Sequence, residues 1–225
     1  MAQLPPGNFI AALPADLSAG LFSKGPSIRL KANQLLFGVG DPGNGCYRID
    51  AGLLKVSALS RSGGERILAI LGTGSIVGEL STIDNAPRAA TVIALRDSEL
   101  SFVSRANFYG FADEHPQVYM HLMILLARRL RETDGVIAAS SFLSVKGRVA
   151  RTMLSLAEAF GHDVGAGRIV IRQRLSQSDL AAMSGTVREN VSRVLNEWQM
   201  EAVLTRTRGY YCIERTATLK DASRL

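Results

Sequence analysis

Residues 176–198 read SQSDLAAMSGTVRENVSRVLNEW, and this stretch decides the architecture of the C-terminal part of the chain. Ser176 can cap a short helix whose apolar face is Leu180, Ala181 and Met183, and Gly185 makes the turn that ends it. Thr186 then stands at an N-cap position with Glu189 three residues on, a capping-box spacing, and Val187, Val191, Val194, Leu195 and Trp198 supply a stripe to bury. Two short helices joined by a tight glycine turn form a helix-turn-helix.

The second helix keeps Arg188, Glu189, Ser192 and Arg193 off that stripe and near its N-terminal end, the end that enters a major groove. An arginine fork matches guanine O6 and N7, and a carboxylate accepts from the cytosine N4 amine. Two readings stand side by side here: Glu189 closes the capping box or touches a base, and Arg188 and Arg193 read bases or hold phosphates. Downstream, Ala202 to Leu204 and Tyr210 to Ile213 read as strands around a basic tip that carries Arg206 and Arg208. Such a hairpin directly after the helix pair is a wing laid against phosphate, with an ordinary charged turn as the alternative.

Charge points the same way. The 225 residues carry 26 basic and 20 acidic side chains, a formal charge of +6, and the sequence pI is about 9.7. Residues 146–225 hold 13 of the basic and eight of the acidic residues, so nearly all of the excess lies there. Charge alone leaves nucleic acid, anionic membrane and acidic protein as partners, and the local motif selects among them.

The first half is built differently. Ten of the 21 glycines fall between Gly38 and Gly78, and all seven prolines lie at or before Pro116. Between turn signals such as 40–45, 62–64, 72–74 and 84–87, the segments Cys46 to Ile49, Leu53 to Ala58, Arg66 to Leu71, Ala89 to Ala94 and Glu99 to Val103 read as short strands of an antiparallel barrel or sandwich. A long helix follows, with Pro116 in its first turn and Asp113 or Glu114 near its positive end. From Tyr119 the positions Met123, Leu126, Leu130, Thr133, Ile137 and Ser140 step by four and three residues, an a/d seam for a parallel partner helix or for the helix's own domain. The helix should end near Phe142 to Val145.

One stretch of the sheet region carries ligand chemistry. Gly78-Glu79-Leu80 precedes Pro87-Arg88-Ala89-Ala90, and an arginine in a turn of small residues offers a bound anion both a guanidinium and backbone N–H donors. Glu79 suits an anion only by accepting a hydroxyl from the same ligand.

With these residues in view, the chain resembles the cyclic AMP receptor and Fnr class of bacterial transcription regulators over roughly residues 20–215. The resemblance implies an α+β protein: a jelly-roll-like cyclic-nucleotide-binding β-roll over 1–114, a dimerisation helix over 115–141, a hinge at 142–145 and a winged helix-turn-helix over 146–225. It implies that Glu79 accepts from a ribose 2′-hydroxyl, Arg88 pairs with a cyclic phosphate, Gly78 admits a close backbone, and Val56, Leu68 and Leu80 flank sugar and base. Arg129 would support Glu79, Thr133 would meet the purine edge, and Arg188, Glu189 and Arg193 would read bases. The partners so implied are double-stranded DNA with half-sites close to TGTGA and TCACA, a second copy of the chain, and RNA polymerase.

Two departures concern specificity. Ala89 stands where the bacterial receptors have a serine, which removes one hydroxyl contact to phosphate. Asp134 replaces a second serine that would reach the purine bound in the partner subunit; as a carboxylate it accepts from the adenine N6 amine or from guanine N1–H and N2 amine, or it is a solvated helix charge. Cyclic AMP is the expected ligand, with cyclic GMP beside it.

Other chemistry has little support. Cys46 and Cys212 form no CxxC pair, and His115, His121 and His162 make no zinc or triad spacing, so neither a metal site nor an enzyme is expected. The apolar run Leu122 to Ala127 is too short to span a bilayer. The segment Met1 to Leu13 lacks the basic start of a secretory signal, and a cytoplasmic protein is expected.

Overall fold

The structure is a computed structural model, and it describes residues 13–61 and 63–224. The segment expected not to be a signal, residues 1–12, lies outside the described residues, as does Ser62 in the expected turn at 62–64. The chain divides into two compact units, with the division between Arg131 and Glu132.

The first unit opens with α1 (Ala15–Phe22), β1 (Ser27–Leu30) and β2 (Leu35–Phe37). Two long strands, β3 (Gly45–Leu59) and β6 (Thr91–Ser104), form its spine, with β4 (Glu65–Gly72), β5 (Ile76–Val77) and α2 (Glu79–Asp84) between them. The six strands make one antiparallel sheet of order β1-β6-β3-β4, in which β2 pairs with β6 and β5 with β3. Four expected segments thus fuse into two strands. The fusion is possible because the β3–β6 register shifts between Ile49 and Leu54, so bulges at Asp50-Ala51-Gly52 bend the pair without ending it. This rolled sheet closes on Leu30, Ile49, Leu54, Val56, Leu71, Val92, Ala94 and Leu100, a jelly-roll-like core.

Behind the sheet, α3 (Arg105–Glu114) and the start of α4 (Gln117–Phe142) pack with α1 on Cys46, Ile76, Val103, Phe108 and Val118. Ser104 caps α3 by accepting from Asn107 N. Asp113 and Glu114, expected at the start of the long helix, belong instead to the end of α3, and Pro116 sits in the turn just before α4. The missing N–H of Pro116 and its hindrance to His115 favour a break between the two helices. Along α4, Met123, Leu130, Thr133, Ile137 and Ser140 of the expected seam are exposed, while Tyr119 and Leu126 are half-buried.

The second unit takes α4 from Glu132 and continues with α5 (Val145–Phe160), β7 (Gly161–Asp163), β8 (Ile169–Ile171), α6 (Gln177–Ser184) and α7 (Arg188–Met200). It finishes with β9 (Leu204–Thr207), β10 (Tyr210–Ile213) and α8 (Thr216–Ala222). Its sheet runs β7-β8-β10-β9, all antiparallel. The core is Met153, Leu156, Ile171, Leu180, Val191, Leu195, Trp198, Tyr211 and Leu219. The strand expected from Ala202 begins only at Leu204, because Ala202 turns the chain at φ 53° after α7.

Candidate functional site

Two sets of side chains stand out, one in each unit. In the first unit, β5 delivers Gly78, whose φ of 84° and ψ of 10° put it in the left-handed region at the head of α2. A Cβ there would fall 2.5 Å from Arg88 Nη1, so only glycine lets that guanidinium sit against the turn. Arg88 Nη1 donates to Gly78 O at 2.8 Å. The guanidinium lies over the Phe37 ring at 4.3 Å and the Tyr47 ring at 5.8 Å. Arg88 is 3% exposed, and its buried Nε has no hydrogen-bond partner among the described residues. A buried guanidinium donor is expensive to leave unmet, which marks this as a place prepared for an acceptor.

Glu79 starts α2 and is 2% exposed. Arg129, from α4, pairs with its carboxylate. Burial raises the Glu79 carboxyl above its ordinary range, and the charges of Arg129 and Arg88 pull it back. Cys46 beneath them is fully buried, and its thiol is pushed up to about 12 by burial and by Glu79, so it is a protonated packing residue. The cleft formed here encloses about 300 Å³ with its open mouth but only about 30 Å³ of interior space, and Phe37, Val56, Val77, Leu80, Ala89 and Ala90 line it beside Gly78, Glu79, Arg88 and Arg129. Arg88, stacked on Phe37 and bound to Gly78 O, helps fill that interior.

Two residues in and beside this cleft escaped the sequence reading. Phe37 is the ring beneath Arg88, and a lone phenylalanine in a three-residue strand gives no periodic signal. Arg105, at the start of α3, does not line the cleft but ties α2 to the segment at Gly43: Nη2 donates to Gly43 O at 2.6 Å and Ser81 O at 2.5 Å, Nε to Thr82 O at 3.2 Å, and Nη1 to Asn85 Oδ1.

One expected position differs. Leu68 does not line the cleft. Val56 pairs with Ala69 and Ser57 with Ile67, so Leu68 is the extra residue of a bulge, 44% exposed. Thr133 and Asp134 lie on the part of α4 that belongs to the second unit, and both are exposed.

In the second unit, Ser176 Oγ accepts from Asp179 N at 3.0 Å while Asp179 Oδ2 accepts from Ser176 N at 2.9 Å, a reciprocal cap that starts α6. Gly185 ends α6 in the left-handed conformation. The capping box expected of Thr186 and Glu189 is absent. The N-cap of α7 is Val187, without a side-chain cap bond, and Thr186 Oγ1 instead accepts from Asn190 Nδ2 at 3.0 Å. Val187, expected in the buried stripe, is 57% exposed, since the helix begins one residue later than the stripe's spacing suggests. Val191, Val194, Leu195 and Trp198 are buried. Arg188, Glu189 and Arg193 are exposed, and Ser192 is half-buried.

The wing is β9 and β10. Thr207 faces Tyr210 across Arg208 at φ 52° and Gly209 at φ 87°, a two-residue hairpin turn with both central residues left-handed. Arg206 and Arg208 are exposed there, with Arg206 over the Tyr211 ring at 5.0 Å. Arg174 over Tyr210, at 5.1 Å, adds a basic group that the sequence reading did not single out.

A cleft with a buried arginine and glutamate in one unit, and a helix pair with basic wing in the other, match two family models. A cyclic nucleotide-binding domain model matches residues 27–115, and a Crp-like helix-turn-helix model matches 147–222. The CRP-like cAMP-activated global transcriptional regulator of Mycobacterium tuberculosis is 30% identical over 217 residues, which cover 96% of this chain and 90% of that protein. The chain belongs to the Crp/Fnr family of transcriptional regulators.

The cyclic AMP receptor protein of Thermus thermophilus is 34% identical over 186 residues, covering 83% of this chain and 82% of the relative. Among solved structures, a CooA variant from Carboxydothermus hydrogenoformans superposes with a TM-score of 0.77 at 23% identity, covering 91% of this chain and 90% of the other. The c-di-GMP responsive regulator CLP of Xanthomonas campestris gives 0.77 at 23% identity, covering 89% and 99%. The family fold is therefore that of a Crp/Fnr regulator: β-roll, long helix and winged helix-turn-helix. Among the described residues no helix is long and apolar enough to cross a membrane, and no group of His, Cys, Asp and Glu could hold a metal ion.

Proposed function

We propose that this Crp/Fnr regulator responds to cyclic AMP, which enters the cleft of the first unit and governs the affinity of the second unit for DNA. The observation that carries the reading is Arg88, buried with an unpartnered Nε, beside the buried carboxylate of Glu79. A cyclic ribose phosphate supplies both complements: an anion for the guanidinium and a 2′-hydroxyl for the carboxylate. Binding exchanges the Arg88 bond to Gly78 O for bonds to phosphate and frees interior space. Arg129 favours the ionised form of Glu79 against its burial, and Val56 and Leu80 flank sugar and base.

The chain acts as a parallel homodimer through the seam of α4, where Leu130 and Ile137 are 63% and 60% exposed. Thr133 meets the purine edge at that seam, and ligand works by favouring one arrangement of the dimer over another. Arg188, Glu189, Ser192 and Arg193 read bases, with Ser176, Thr186, Arg206 and Arg208 at phosphates. Two recognition helices about 34 Å apart require a pseudo-palindrome near TGTGA-N6-TCACA. The protein works in the cytoplasm on promoters served by RNA polymerase.

A second reading replaces cyclic AMP by cyclic GMP. Asp134 favours it, because its carboxylate suits the N1–H and N2 amine of guanine. A DNA-binding titration at fixed salt on the palindromic site, with no ligand, cyclic AMP or cyclic GMP, tests both. Cyclic AMP alone should raise affinity tenfold or more. A larger effect from cyclic GMP selects the second reading, and sequence-indifferent binding in all three arms points to a module that acts on a protein partner.

A further inference from the structure

The helix that faces DNA in this family begins here on a valine and, like α8 with Arg215, has no side-chain cap. In the second unit, α5 and α6 start on Ser144 and Ser176, whose hydroxyls accept from the N–H of Gly147 and Asp179. By contrast α7 starts on Val187, which offers its first turn no acceptor. Valine is among the poorest N-cap residues. Nor does burial explain it: Val187 is 57% exposed, whereas Val191, Val194, Leu195 and Trp198 of the same helix are 7% exposed or less. Thr186, the adjacent residue able to cap, has its hydroxyl oxygen engaged by Asn190 Nδ2.

An apolar isopropyl group is thus presented to solvent beside Arg188 and Glu189, on a face otherwise polar and within the Crp-like helix-turn-helix match. Among base edges in the major groove, only thymine offers an apolar complement, its C5-methyl. We infer that Val187 is a specificity-determining residue that packs on a thymine methyl in each half-site. The local stability given up at the helix start is recovered when that methyl leaves water. The inference rests on the proposed DNA reading and adds a base identity that hydrogen bonding by Arg188 and Glu189 does not fix.

Deoxyuridine provides the test, since it differs from thymidine only by the methyl group. The full chain with cyclic AMP would first select its preferred duplex from a random library. Affinities at one salt concentration would then be measured for wild type, Val187→Ala and Val187→Ser, with each thymine in turn replaced by deoxyuridine in both half-sites. For wild type, one symmetric pair of thymines should show a loss of about fourfold per half-site, the factor corresponding to ~0.8 kcal/mol for one buried methyl. Both variants should bind the thymidine and deoxyuridine duplexes within twofold of each other at that pair.

Val187→Ser should also raise the melting temperature by a few degrees by supplying the absent cap, so its loss of methyl sensitivity cannot be put down to misfolding. Wild-type indifference to every thymine methyl overturns the inference, and so does an equal loss in wild type and variants. Selection of no preferred duplex overturns the inference together with the DNA reading beneath it. Selective binding without methyl coupling overturns the inference alone.

Discussion

Arg148 Nη1 donates to the carbonyl of Leu143, the first residue after α4, at 3.0 Å. The same guanidinium donates through Nε to Ser184 O at 3.0 Å and through Nη2 to Gly185 O at 3.4 Å. One side chain therefore ties the end of the long helix to the turn of the helix pair, within the second unit. Replacing Arg148 by alanine leaves Leu143 and Ser184 carbonyls without that donor and should destabilise the unit by about 2 kcal/mol. Differential scanning calorimetry should show the loss, while nucleotide binding by titration calorimetry stays unchanged, since Arg148 lines no part of the cleft.

Arg88→Lys keeps the charge in the cleft and removes the fork. A lysine cannot donate to Gly78 O and to an anion with one planar group, so cyclic AMP affinity should fall at least tenfold by titration calorimetry. Equal affinity in the two proteins would show that the phosphate binds elsewhere.

Glu79 gives the first unit a pH signature. Its pKa is raised above the ordinary 4.5, chiefly by burial. The folded state thus holds the proton at pH values where the unfolded chain has released it, and the contribution to stability is greatest below 4.5 and is lost as pH rises through the raised value. Without nucleotide, Glu79→Gln should gain melting temperature relative to wild type as pH climbs from 4.5 to 8. A difference that is flat with pH would mean that the charges of Arg129 and Arg88 offset the effect of burial.

Arg188→Ala should cost roughly 1 to 3 kcal/mol on the preferred duplex and relax the preference at one guanine. If affinity falls equally on every sequence, Arg188 is a phosphate contact.

Leu130 and Ile137 test the dimer. A glutamate at either exposed position sets two like charges against each other in a parallel seam. Analytical ultracentrifugation of Leu130→Glu or Ile137→Glu should show monomer where the wild type sediments as dimer.

What could be read from the sequence depended on whether the signal was local. Glu79 and Arg88 sit in short stretches whose composition already states the chemistry, and Ser176 with Asp179 carries its spacing openly. Alternation puts Leu68 on the cleft face but cannot show a bulge, and one extra residue removes that side chain from the face its neighbours occupy. Val187 was counted in a buried stripe because helical period fixes a face but not the residue at which the helix begins. The sequence pattern likewise parts β3 between Ile49 and Leu53 and β6 between Ala94 and Glu99, because a bulge interrupts the alternation without ending the strand.

Arg105 was invisible for a different reason, and that reason bears on how such a protein can diverge. Three of its four acceptors are main-chain carbonyls, of Gly43, Ser81 and Thr82. Carbonyls survive replacement of the side chains around them, so Ser81 and Thr82 can drift without undoing the tether. Gly43 cannot, because a Cβ there would lie 2.3 Å from Ser81 Cβ. Constraint is thereby concentrated in a single guanidinium and a single glycine, and the intervening loop is left free to acquire a different preference for what it encloses.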